Sequence, residues 1–381
     1  MISLRALVAC AGLLSCACSL AAPSDEALLG GGGSGSGGTT KPPPPRPDSG
    51  AFPLRRDVVS DLRDERTLER DPATFCTDAG DCGSGLYCGR NAVCTPCSDL
   101  TALDDLREVE FGEGEPLTAI NVAVSDQQLR HPRAFGEGPK LFYVRDFFGG
   151  RIWLTPDMHT SAGAPLLEPI SAPDARESAP LVVDQGLDAF SGHNFFFDRG
   201  WSDPPRGVLY GAKIDASGTA TEVTELPAPF NSTNASYAVA LSRTRAFWTQ
   251  NLDGELLIRL MTAPLEGEVI RSTVEMITEN GCRIFEFGYT PWVTPEGRIL
   301  MVSISERDQD CNAGENSPQD VAWAKLDASG QPAHPLITVR NVNQPGTSET
   351  DGSLSPDLCW FYFASNRGES NYRLYRARRV R

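Results

Sequence analysis

Histidine is scarce in this chain of 381 residues: His131, His159, His193 and His334 are the full set, and none stands in a metal-ligand or catalytic-triad spacing. That removes the usual signature of a histidine-built zinc centre or an imidazole-driven hydrolase. Strong helical periodicity is missing too, which argues against a helical bundle. Positive charge is in deficit, with a formal net charge of −16. Such a surface repels nucleic acid and anionic lipid, so nucleic-acid binding is excluded. A long apolar run is also lacking. The uncharged stretch from Ala6 to Ala22 falls short of the roughly 20 residues that span a bilayer. The glycine run Gly30–Gly38 has no lysine directly after it and no flanking strand or helix, so it is not a phosphate loop.

What is present begins with an export signal. Met1 to Arg5 is a short head with one positive charge, and Ala6 to Leu14 is an apolar core of signal-peptide length. Leu13-Leu14-Ser15-Cys16 resembles a bacterial lipobox, which implies cleavage before Cys16 and acylation of its thiol. The expected partner is then a membrane, reached through that lipid. The expected site is the cell envelope, on the periplasmic or surface side of an outer membrane. Residues 1–15 read as the signal and 16–72 as a Gly/Pro-rich tether, with a coil at Gly30–Gly38 and a stiff polyproline piece at Pro42–Pro45.

Residues 73–98 form a cysteine cluster. Five residues separate each of Cys76, Cys82, Cys88 and Cys94, and two separate Cys94 from Cys97. A module this small needs staples, and an exported chain oxidises them. Zinc is the rival, but Cys94–Cys97 is the one Cys-x-x-Cys and no histidine lies near it. The pattern resembles the Dickkopf-like modules of exported bacterial lipoproteins. The pairing within it is left open.

From residue 106 to 381 the chain can be laid out in register as repeats of a short strand, a polar turn, an aromatic strand, a charged turn and further strands. Aligned first-strand positions Pro132, Pro180, Tyr237, Pro291 and Gly352 recur at intervals of roughly 50–60 residues. Extended stretches between units, such as Leu166–Ile170 and Leu336–Val339, supply a fourth strand. The expected fold is all-β: a β-propeller of four-stranded blades. Five blades are counted, and residues 106–130 leave six open. Leu354-Ser355-Pro356-Asp357 with Trp360-Phe361-Tyr362-Phe363 resembles the TolB-type propeller repeat, a resemblance carried mainly by the last hundred residues. It implies envelope protein partners. Unit five ends at Arg381 without a fourth strand, so Glu108–Phe111 or Leu117–Ile120 is expected to close the ring.

Strand direction orders the remaining cysteines. Cys282 and Cys311 fall on one propeller face and are expected to pair. Cys359 falls on the other and can take the odd Cys97, docking the module there. The face of the second-to-third strand turns carries two long loops, Asp198–Gly207 and Glu306–Asp320. Phe147, Phe148, Trp201 and Asp203 there, with Asp308, Asp310 and Asn312, form the candidate binding face for protein or glycan. Asp308-x-Asp310-x-Asn312 resembles the start of a calcium loop, but Ala313 replaces the required glycine and Gln319 the bidentate glutamate. No other cofactor is expected.

Catalytic constellations are thin. Asp351 and Glu286, before inner strands, are the nearest carboxylates to the axis, and nothing in their spacing singles them out. His131, at the start of an inner strand, reads as a structural histidine. Arg373, Arg376, Arg378, Arg379 and Arg381 fall on both faces of the last strand and read as a solvated edge. The expected function is therefore a monomeric, tethered, non-enzymatic binding or scaffold lipoprotein. The alternative is a propeller glycoside hydrolase or another polysaccharide-acting enzyme.

Overall fold

A computed structural model describes residues 76–381, apart from 84, 90, 99–102, 137, 147–149, 173–174, 184–189, 203–204, 216, 232–235, 252–257, 267–268, 271–274, 277, 280–281, 284–289 and 306–317. Two short strands, β1 (Leu86–Cys88) and β2 (Cys94–Pro96), pair at the start of this region. They are followed by α1 (Leu103–Glu108), β3 (Glu115–Pro116) and α2 (Thr118–Ala123). Five antiparallel blades then succeed one another. Blade one is β4 (Leu129–Ala134), β5 (Leu141–Arg145), β6 (Arg151–Thr155) and β7 (Ala164–Pro165). Blade two is β8 (Ala175–Val182), β9 (Phe195–Ser202), β10 (Pro205–Ile214) and β11 (Ala220–Glu225). Blade three is β12 (Ser236–Leu241), β13 (Arg245–Asn251) and β14 (Ile258–Glu266), its outer edge split between β15 (Val269–Ile270) and β16 (Glu275–Met276). A two-residue pair, β17 (Thr278–Glu279) and β18 (Cys282–Arg283), precedes blade four. That blade is β19 (Trp292–Val293), β20 (Ile299–Ser305), β21 (Gln319–Lys325) and β22 (Ile337–Thr338). Blade five is β23 (Glu349–Leu354), β24 (Trp360–Ser365), β25 (Arg373–Arg378) and β3.

The aromatic runs follow from this packing. Each second strand is covered on both faces, so it reads as a continuous apolar run rather than an alternating one. Phe195 and Phe197 enter the seam with blade one, while Phe196 enters the seam with blade three. In blade five, Phe361 and Phe363 pack toward blade four and Tyr362 and Ala364 toward blade one. Five such clusters fill the five seams. Each fully buried Phe contributes about 2–3 kcal/mol of transfer free energy.

Ring closure uses the N-terminal segment. Tyr375 pairs with Pro116 and Arg376 with Glu115, and Phe111 bridges Arg379. The two expected closing segments flank the actual one. Leu117 ends the pairing by donating its amide to Leu374, and from Thr118 the chain turns into α2, burying Ile120 in the seam between blades five and one.

The module is stapled by Cys76–Cys88 and Cys82–Cys94, and Cys97 is bonded to Cys359. Arg379 donates to the Cys97 carbonyl at 2.7 Å and lies 3.9 Å over the Tyr87 ring, while Arg378 donates to the Cys82 carbonyl at 3.0 Å. The last strand is therefore no solvated edge: β3 covers its ladder and the module takes up Arg378 and Arg379, so that Arg379 is buried. The expected 198–207 loop is also corrected. β9 and β10 continue through it as a paired hairpin, with Gly200 opposite Gly207 and Ser202 opposite Pro205. The signal, Cys16, the tether, Phe147, Phe148, Asp203, Glu286, the Asp308/Asp310/Asn312 loop and Cys311 lie outside the described residues, as does the side chain of Cys282.

Candidate functional site

The inner strands share a local distortion that builds the site. Register shifts occur between Arg130 and Arg133, Ser178 and Leu181, Ser236 and Val239, and Thr350 and Ser353. At three of them a non-glycine residue takes positive φ: His131 at 54°, Ala179 at 46° and Asp351 at 61°. Such a conformation costs about 1–3 kcal/mol and persists where surrounding packing imposes it. A bulge of this kind re-aims side chains. Here it turns those of blades one and five toward each other. Pro132 and Pro180 follow the first two of these residues. Gly352 follows the third because a Cβ there would meet Val321, Phe361 and Met301 at 2.6–2.9 Å.

Asp351 is the centre of the resulting cluster. Its Oδ2 accepts from Arg130 Nε at 2.6 Å, from Thr350 Oγ1 at 3.1 Å and from the His131 amide at 3.3 Å. Its Oδ1 accepts from Thr290 Oγ1 at 2.7 Å and lies 3.4 Å from His131 Nδ1. Its amide donates to Ser303, and its carbonyl accepts from Arg133. Blades four, five and one thus meet on one carboxylate. Burial is the largest influence and would raise its pKa, but the charges of Arg130 and His131 and the hydrogen bonds from Arg130 and Thr290 together outweigh it, so the group stays ionised well below the usual carboxylate range. Burial and the neighbouring arginines push His131 down to about 3, against the pull of Asp351, leaving it neutral at ordinary pH.

A second carboxyl behaves oppositely. Asp198 on β9 stands across from Ser178 on the inner strand β8 and accepts its hydroxyl at 2.5 Å. Burial raises Asp198 to about 7, with Glu177 adding to the effect and the Ser178 bond opposing it. Its charge in turn helps raise Tyr237, whose main cause is burial. Tyr237 occupies in blade three the place that Asp351 holds in blade five. Below about pH 7, therefore, an ionised carboxyl stands on the inner strand of blade five and a protonated one beside the inner strand of blade two.

Sequence reasoning placed Asp351 and His131 near the axis, and the structure brings them together. It missed Asp198, which it assigned to a loop. The signal was present: Asp198 breaks an otherwise apolar strand straight after Phe195-Phe196-Phe197. Of the candidate binding face, the structure describes Trp201 alone, on β9 and paired with Ala175 and Arg206.

The ring has solved counterparts. The chain is similar to an α-L-arabinofuranosidase of Podospora anserina solved with cellotriose, at 12% identity and TM-score 0.46, covering 72% of this chain and 97% of that one. It is similar to the catalytic domain of a Coprinopsis cinerea GH62 α-L-arabinofuranosidase, at 11% identity and TM-score 0.42, covering 71% and 97%. It is also similar to an endo-arabinase of Bacteroides thetaiotaomicron, at 10% identity and TM-score 0.43, covering 67% and 95%. No protein-family profile matches the chain, and no curated protein matches it. The names of these counterparts are those of enzymes and stand against the expectation of a non-enzymatic binding or scaffold protein, which is not kept; they stand with the alternative, a propeller glycoside hydrolase, taken up below. At this similarity they speak for the fold, so the chemistry has to be argued from the chain's own residues.

Proposed function

We propose that this chain is an exported glycoside hydrolase of the propeller class, working from the face on which the inner strands begin. The observation that carries the reading is the opposed protonation of Asp198 and Asp351. Glycosidic cleavage needs one carboxyl that gives a proton to the leaving oxygen and one that stays ionised. Asp198, raised by burial to about 7 and so protonated in mildly acidic solution, is assigned the first role. Asp351 is assigned the second, its orientation fixed by Arg130 and Thr290. Both carboxyls are buried, so a sugar reaches them after the covering side chains move.

The test is release of reducing ends by the full chain from α-L-arabinofuranosides, arabinan and a panel of other polysaccharides. Activity is expected on at least one. Asp198→Asn is expected to lower kcat by about 10²–10⁴-fold. No release from any substrate sinks the proposal, and so does an undiminished rate in Asp198→Asn.

The same reading places the enzyme at the envelope on a lipid-bearing tether, with a TolB-type repeat in its last blade and a glycan as partner. Support comes from the signal-like head, the lipobox-like Leu13–Cys16 and the Ser355-Pro356-Asp357 motif. Palmitate labelling should be lost in Cys16→Ala; equal labelling rejects the anchor.

A further inference from the structure

The opposite face carries a cavity of about 1200 Å³ that the hydrolase reading does not use. Its walls come from the first-to-second strand turns of blades one, two and five, and from Gly85 of the disulfide module. Half-buried Trp360 lines it. Arg376 stacks on that ring at 4.3 Å and bonds His159 Nε2 at 3.2 Å and Glu115 at 3.2 Å. Lys140 and Asp357 stand at the rim, Asp357 exposed.

Two properties narrow the occupant. The volume exceeds the roughly 300–1,000 Å³ of a single small-molecule pocket, so the ligand is elongated or oligomeric. Lys140 and Arg376 line it against Asp357, and Arg376 is already paired with Glu115 behind it, so the charge is small and neither a polyphosphate nor a strongly basic peptide is matched. An aromatic side chain ringed by donors and acceptors of both signs suits a neutral, polyhydroxylated chain. We propose that this cavity is an oligosaccharide-binding site, distinct from the hydrolytic face and completed by the module. The module is held at its rim by Cys97–Cys359 and by the Arg379 contacts. That gives the module a function beyond capping the fold.

The experiment is calorimetric titration of the full oxidised chain with cellohexaose and arabinohexaose, which needs no turnover when run on Asp198→Asn. Saturable binding to one of them is expected. His159→Ala and Arg376→Gln should each weaken it at least about tenfold, as loss of a central contact does. Cys97→Ser/Cys359→Ser should weaken it too. Thermal melts of each variant identify any loss that is merely unfolding. Absence of saturable binding overturns the proposal. So does binding that both His159→Ala and Arg376→Gln leave intact, which would place the sugar on the other face. Hydrolysis without binding here would sink this site and leave the hydrolase standing; binding without hydrolysis would do the reverse.

Discussion

Three buried side chains carry large shifts in the acid range, and they do not pull the same way. Asp351 is depressed by Arg130, so its contribution is complete above the unfolded value of about 3.9 and is lost as pH falls below it. His131, neutral down to about 3, is protonated more readily when unfolded, near 6.5. Its environment therefore costs stability progressively as pH falls from about 6.5 toward 3. Asp198 acts oppositely. Raised to about 7, it binds a proton in the fold before the unfolded chain does, so stability rises as pH falls from about 7 toward 4. Between about pH 4 and 6.5 the last two slopes oppose each other. Urea midpoints across pH should therefore be shallow in the wild type. Asp198→Asn should steepen the acid side and stabilise the fold above pH 7 by on the order of a few kcal/mol. A profile unchanged by that substitution would mean Asp198 is ionised in the fold. Asp351→Ala leaves Arg130 without its buried partner and should cost about 3–5 kcal/mol at neutral pH, read from the same midpoints. At this scale the sequence was half legible. Asp351 and His131 follow from the repeat register, which places His131 at the start of an inner strand and Asp351 just before one. Asp198 did not, because an acidic residue beside Arg199 reads as a turn until the partner strand shows Gly200 facing Gly207 and the hairpin running on.

Among elements, the bulged inner strands and the closing strand matter most. Pro132, Pro180 and Gly352, three of the five positions that marked the repeat in the sequence, each follow a bulge residue, and both residue types break a regular ladder. Positive φ at His131 and Asp351 could not be foreseen, because neither residue type requires it. The last strand misled for a similar reason. Arginine on both faces of a strand is the pattern of an exposed edge, and only the arrival of β3 and the module turns it into a packed one. The Cys97–Cys359 bridge spans a separation of 262 residues, for which loop-closure entropy gives an upper figure of about 5 kcal/mol. Cys97→Ser/Cys359→Ser should lower the urea midpoint, most of the loss arising through the unfolded state. An unchanged midpoint would mean that Arg379 and the β3 ladder already hold the seam unaided.

For the whole molecule, the seams explain why architecture was readable and activity was not. A ring of blades buries both faces of every central strand, so the aromatic runs announce the fold wherever they recur. Single carboxyls leave no such period: Asp198 stands in blade two and Asp351 in blade five. The ring is also closed by its two ends: Phe111 and Glu115–Pro116 come from before blade one, and Arg376 and Arg379 from the end of the chain. Leu106, Val109 and Phe111 sit in the seam of blades four and five, and Leu117 and Ile120 in that of blades five and one. A chain starting after residue 117 loses that strand and four of those five apolar side chains. Each buried side chain of this kind is worth about 1.5–3 kcal/mol, which together rivals the whole stability of an ordinary domain. Such a chain should bind hydrophobic dye, associate on gel filtration and melt without a sharp transition. One that starts at residue 73 keeps both the module and the closing strand and should melt like the full chain. A cooperative, monomeric melt from the shorter chain would show that the five blades hold their ring without the N-terminal strand.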